Sequence, residues 1–142
     1  MSIMKKMLIF LIISSMIFIQ GVSQAQNMSA RELAQTKKEE LNNTEWIISL
    51  TSTGDKRQNP EIDTITFIDG RVSSMNLENA GYSPTGFTVI VKEEAVIWET
   101  MQRDGEGNVA LWQGEIKDDV MRGTLRKIDT DGRVFEFSFM SQ

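Results

Sequence analysis

The chain has 142 residues, no cysteine, no histidine, 15 Lys+Arg and 20 Asp+Glu, for a formal net charge of -5. The length suits one domain with a single core. The missing residue types exclude disulfides, thiolate and imidazole metal sites, Cys or His nucleophiles and a histidine general base, and the acidic balance argues against a nucleic-acid footprint, which needs clustered Lys and Arg.

Lys5 and Lys6 precede an apolar run over residues 7–19, shorter than the roughly 20 residues that a spanning helix needs. The pattern predicts a secretory signal, and the small residues of Ser23-Gln24-Ala25 place cleavage after Ala25. The expected organisation is therefore a signal peptide over 1–25, an N-terminal helix over 26–43 and a β domain over 44–142. Both lysines leave with the signal and no acid does, so the exported chain is more acidic still. Export to the periplasm or to the medium permits disulfides, and their absence means that the domain must be stable on packing alone.

Ser29-Ala30-Arg31-Glu32 reads as a capping box opening a helix over 30–41. Its apolar stripe is thin (Ala30, Leu33, Ala34, Leu41), which suits a helix laid across an opening or rim, and Asn42-Asn43 is a plausible stop. From Thr44 the period changes to two. Strands are expected over 45–51, 64–68, 71–76, 87–92, 95–102, 108–116, 119–128 and 132–140. Pro60 and Pro84 fall between them, where no ladder N–H is required.

Turn positions fix which residues face one another, and a slip of one residue flips every side chain. A two-residue turn at Asp69-Gly70 pairs Phe67 with Val72, and one at Glu93-Glu94 pairs Val91 with Val96. A loop over 103–107 sets Trp98 opposite Trp112, a turn at Lys117-Asp118 sets Trp112 opposite Gly123, and a turn over 129–131 sets Leu125 opposite Phe135. One phase survives all five turns: it holds Ile65, Phe67, Val89, Trp98, Trp112, Leu125, Phe135, Phe137 and Phe139, with Lys127 as its one charge. The other phase carries Arg71, Lys92, Glu99, Arg103, Glu115, Arg122, Arg126 and Glu136. A sheet with one dry and one wet face follows. For sequential hairpins the economical way to bury that face is an up-and-down antiparallel barrel of about eight strands, which also removes the sheet edges; a two-sheet β-sandwich is the alternative. Gly114 and Gly123 are expected beside the Trp112 ring, where a side chain would collide with it.

A short N-terminal helix, a Trp opening the first strand (NTEWIISL, Trp46) and hairpins running to the C-terminus resemble the lipocalin-like small barrels of the calycin group. Thr44-Glu45-Trp46 stands where that group has Gly-x-Trp, without the Gly, and either Arg126 or Arg133 is the counterpart of the late basic residue that caps the Trp. WQGEIKDDVMRGTLRK, residues 112–127, also resembles the closing hairpin of small exported barrel proteins of unassigned function. The resemblance implies an interior or rim that holds an apolar ligand; it names no ligand, since fold does not fix function.

Other motifs read as structure. Gly105 to Ala110 fits a loose GxGxxA string but precedes a strand where a dinucleotide site needs a helix. Asp129-Thr130-Asp131-Gly132 lacks the downstream Glu of a calcium loop. Glu99 and Glu115 face solvent, where nothing raises a carboxylate pKa, so a glycosidase pair is not expected. A membrane barrel is disfavoured by the charged outer phase. The expectation is a non-catalytic exported binding module without cofactor, metal, nucleic-acid partner or membrane insertion. Its partner would be a small apolar or amphipathic molecule, met by Trp98, Trp112 and Phe137 with Tyr82 and Lys127 as orienting polar groups. The alternative is an envelope interaction domain with a filled core.

Overall fold

The switch of period at Thr44 is the boundary between helix and sheet. The computed structural model describes residues 28–55 and 57–142, so the expected signal over 1–25 lies outside the described residues. Helix α1 spans Ala30–Leu41, with Ser29 Oγ accepting from the Glu32 N–H at 3.1 Å. It stops where two side-chain and backbone ties turn the chain. Asn42 Oδ1 accepts from the Gly70 N–H at 3.0 Å, and Asn43, at φ 66°, donates its N–H to the Phe67 carbonyl at 2.7 Å.

The strands are β1 (Thr44–Ser52), β2 (Glu61–Ile68), β3 (Arg71–Ser74), β4 (Thr85–Gly86), β5 (Thr88–Lys92), β6 (Ala95–Arg103), β7 (Val109–Lys117), β8 (Val120–Ile128) and β9 (Val134–Ser141), with a short helix α2 (Met75–Asn79) after β3. They form one antiparallel sheet in the order β4-β3-β2-β1-β9-β8-β7-β6-β5. The first and last members of that order are consecutive in the chain, separated by Phe87 alone, so one bent strand serves both sides of the seam. Across it Thr100 Oγ1 donates to the Gly86 carbonyl at 2.7 Å. The result is a nearly closed up-and-down barrel, compatible with a calycin-like fold, and the single continuous sheet excludes the sandwich. Eight expected strands become nine because the chain bends at Phe87.

Both early turns pair as the sequence predicts, Phe67 with Val72 and Val91 with Val96. The three later hairpins are each displaced by two residues: Trp98 faces Gly114, Trp112 faces Leu125, and Leu125 faces Phe137. The cause is local. The turn expected at Lys117-Asp118 sits at Asp118-Asp119, whose φ values of 51° and 61° suit Asp better than Lys. The loops expected at 103–107 and 129–131 sit at 104–108 and 129–133, organised by Asp104 and Asp129. A displacement of two leaves every side chain on its face. The dry face is therefore as expected, except that Phe135, at the rim, is 49% exposed.

The displaced register also changes what the glycines do. Trp98, Gly114, Gly123 and Phe139 form one row across β6, β7, β8 and β9. A Cβ on Gly114 would overlap the Trp98 ring, and one on Gly123 would overlap the Gln113 carbonyl and Phe139. The row thus sets two small residues between two large ones, so that two aromatic rings share the barrel's width; the ring that needs Gly114 is Trp98, not Trp112. Around it the rings of Phe67 and Trp98 meet edge-on at 5.2 Å, Trp98 and Trp112 stack at 6.3 Å, and Trp112 and Phe139 meet at 5.5 Å between centroids.

The expected strand over 71–76 ends at Ser74, which is the N-cap of α2. Its hydroxyl donates to Asp63 Oδ2 and accepts from the Leu77 N–H at 3.1 Å. Asp63 Oδ1 also accepts from the N–H groups of Thr64 at 2.7 Å and Asn76 at 3.0 Å. A carboxylate that is 2% exposed is tolerable because its acceptor capacity is used in this way.

Candidate binding cleft

The barrel interior is occupied. Trp98 is 0% and Trp112 3% exposed, Phe137 packs half-buried against the same cluster, and Tyr82 also belongs to it. Lys127 lies half-buried in the last inward-phase row before the rim, opposite Ala110 on one side and Phe135 on the other. Burial raises the Tyr82 phenol above its usual value, and the nearby Asp104 carboxylate adds to the rise.

Two buried polar residues that the alternation treats as core positions close the seam. Gln102 Oε1 accepts from Trp112 Nε1 at 2.8 Å, while its Nε2 donates to the Ser83 carbonyl at 3.1 Å. Ser83 in turn donates its N–H to the Arg103 carbonyl at 3.2 Å. Gln102 and Thr100 thus supply by side chain the bonds that a β4–β6 ladder would supply by backbone. Neither was singled out by the sequence, because a polar residue at an inward position shows no partner in one dimension. Trp98 Nε1, by contrast, has no hydrogen-bond partner among the described residues.

Outside this seam lies an open cleft of about 790 Å³, within the range of small-molecule sites. Strand alternation makes its floor. One outward row runs Thr88, Glu99, Gln113, Thr124 and the next runs Met101, Leu111, Arg126. Thr85 to Phe87 at the bend, Thr100 and Trp112 behind the floor and Lys38 of α1 complete the lining. Helix α1 packs against β5, which brings Lys38 Nζ to 4.8 Å from the centroid of the Phe87 ring. Of the five residues singled out from the sequence, Trp112 lines this cleft. Arg126 Nε lies 3.5 Å from Glu136 Oε1, whereas Lys38 has no carboxylate within ion-pairing distance among the described residues.

The rim loops hold their own charges. Asp104 Oδ1 accepts from the N–H groups of Glu106 and Asn108, and Asp129 Oδ1 accepts from those of Asp131 and Arg133. Hydrogen bonds from the Asn108 side chain hold Asp104 below the usual carboxylate range; the Arg133 N–H and guanidinium do the same for Asp129. Arg133 also binds Asp129 Oδ2 at 2.9 Å. The DTDG segment is therefore a self-contained turn, and no cluster of three or more acidic side chains arranged for a metal occurs among the described residues. No described helix is long and apolar enough to cross a membrane. Comparison of the chain with protein-family models, curated proteins and solved structures finds no match.

Proposed function

We propose that this chain is an exported, non-catalytic binding module of lipocalin-like type, and that it holds a small amphipathic molecule in the cleft over β6, β7 and β8. The observation that carries the reading is the lining. Met101, Leu111 and Phe87 give an apolar floor, while hydroxyls, one amide and the charged groups stand around it, the usual division between affinity and orientation in small-molecule sites. Ring contacts fill the middle of the barrel, which favours this outer position over the interior. Export is supported by the basic and apolar pattern of residues 1–25. A non-catalytic role is supported by the lack of His and Cys and by rim carboxylates whose acidity is strengthened, the opposite of what a general acid needs.

Native mass spectrometry of the protein recovered from its producing cells, run beside a denatured sample, tests this. An added mass of a few hundred daltons that disappears on denaturing is expected. A bare mass in both samples overturns the reading in favour of an envelope interaction domain. For that second reading the relevant observation is the outward cluster of Ile47, Ile62 and Met140, each about half exposed around Ser49 on neighbouring strands.

A further inference from the structure

We infer that the cleft selects an anionic amphiphile, with its charged head at Lys38 and its apolar body over Met101 and Leu111. The inference rests on the cleft being the binding site. The cleft departs from the rest of the chain in charge: acids outnumber bases in the sequence, yet the lining holds Lys38 and Arg126 against Glu99 alone. The two cations are not equivalent. Arg126 sits beside Glu136, an exposed pair on the outer sheet face, while the half-buried Lys38 faces the Phe87 ring with no carboxylate within ion-pairing distance among the described residues. An ammonium on a ring face keeps its N–H donors free for an acceptor. Glu99 has neutral cross-strand neighbours, Thr88 and Gln113, and stands in the row beyond Met101. Its carboxylate disfavours an anionic head beside itself, which leaves the Lys38 ammonium, unpaired among the described residues, as the place for one.

Two dyes that share the anilinonaphthalene body separate the parts of this idea: 1-anilinonaphthalene-8-sulfonate carries an anionic head and N-phenyl-1-naphthylamine carries none. Fluorescence titration of the full folded domain is expected to show tighter binding of the sulfonate. Lys38→Gln, on an exposed helix, should weaken the sulfonate about fivefold, the scale of one partly screened ion pair, and leave the neutral dye within twofold. Added salt should weaken the sulfonate on the wild-type protein and have little effect on the variant. Leu111→Asp should weaken both dyes. If Lys38→Gln leaves the sulfonate unchanged while Leu111→Asp weakens both, the cleft binds but does not select an anion, and the inference is wrong. If Leu111→Asp, shown by circular dichroism to be folded, changes neither dye, the cleft reading itself is wrong. Tighter binding of the neutral dye to the wild-type protein also overturns the selection.

Discussion

The two ends of the barrel solve the same problem by different means. At one end three hairpins close in two residues each, at Asp69-Gly70, Glu93-Glu94 and Asp118-Asp119, and all six residues have φ between 51° and 72°. Both central positions being left-handed is the type I′ arrangement, whose twist matches that of the strands. At the other end two hairpins close in five residues, over 104–108 and 129–133, and the first Asp of each accepts the N–H groups of the third and fifth residues. Gly107 and Gly132, at φ 94° and 80°, take the left-handed fourth place in each. The short turns are shaped by left-handed backbone, with Asn42 Oδ1 tying the Gly70 N–H, whereas each long hairpin is organised by its own Asp accepting two N–H groups. The buried polar groups Asp63, Ser74 and Gln102 all lie towards the long end, so that end is the one sensitive to substitution of buried polar side chains.

The largest test of that difference is Asp63→Ala. It leaves the Thr64 and Asn76 N–H groups and the Ser74 hydroxyl without their acceptor, and should cost about 4 kcal/mol, since each stranded buried donor costs about 1–3 kcal/mol and some will find water. Chemical denaturation measures it; a loss below 1 kcal/mol would mean that α2 is not fastened by this carboxylate. Gln102→Leu keeps the volume but strands Trp112 Nε1 and the Ser83 carbonyl, with an expected loss of about 2–3 kcal/mol and a shifted tryptophan emission. Wild-type stability with unchanged emission would show that the seam does not depend on Gln102.

These anchors also mark what could be read from the sequence. Faces were legible because alternation survives any even displacement; Ile65, Trp98 and Phe139 are buried while Arg71, Glu99 and Glu136 are exposed. Pairing was legible at Asp69-Gly70, where glycine signals the turn, and displaced at 104–108, where the deciding feature is a carboxylate accepting two N–H groups. The α2 helix was hidden because its cap, Ser74, depends on Asp63 from another strand. For the site, Trp112 was reachable from the alternation, but Lys38 was not: its place over Phe87 follows from how α1 lies against β5, which no local pattern encodes.

Acid should act on the long end first. Asp104 and Asp129 have folded pKa values below the ordinary carboxylate range, so the stability they contribute is present above the unfolded carboxylate pKa and is lost as pH falls through the lowered folded values. Hydrogen exchange of the Glu106, Asn108, Asp131 and Arg133 amides should rise over that acid window relative to amides of the 93–94 and 118–119 turns, after correction for intrinsic rates. Equal change at both ends would remove the distinction. Tyr82 has the opposite sign: its raised pKa means stability is kept below the unfolded tyrosine value and lost as pH rises through the folded one.

The smallest effect is the most discriminating. Glu93 and Glu94 occupy left-handed positions at φ 51° and 67°, a conformation that costs an ordinary L residue about 1–2 kcal/mol and that Asn-Gly adopts readily. The double substitution Glu93→Asn with Glu94→Gly should therefore stabilise the domain by about 1 kcal/mol, a rise in Tm of roughly 3–5 °C for a domain of this size. Asp129, outside the left-handed region, has no such strain to relieve; Asp129→Ala removes the acceptor for the Asp131 and Arg133 N–H groups without adding a glycine's backbone freedom, so its Tm should fall. Opposite signs follow only if one end is limited by backbone conformation and the other by a side-chain acceptor. Two rises would mean that the Asp129 carboxylate is dispensable, and two falls would mean that the glutamates of the short turn make contacts beyond their backbone.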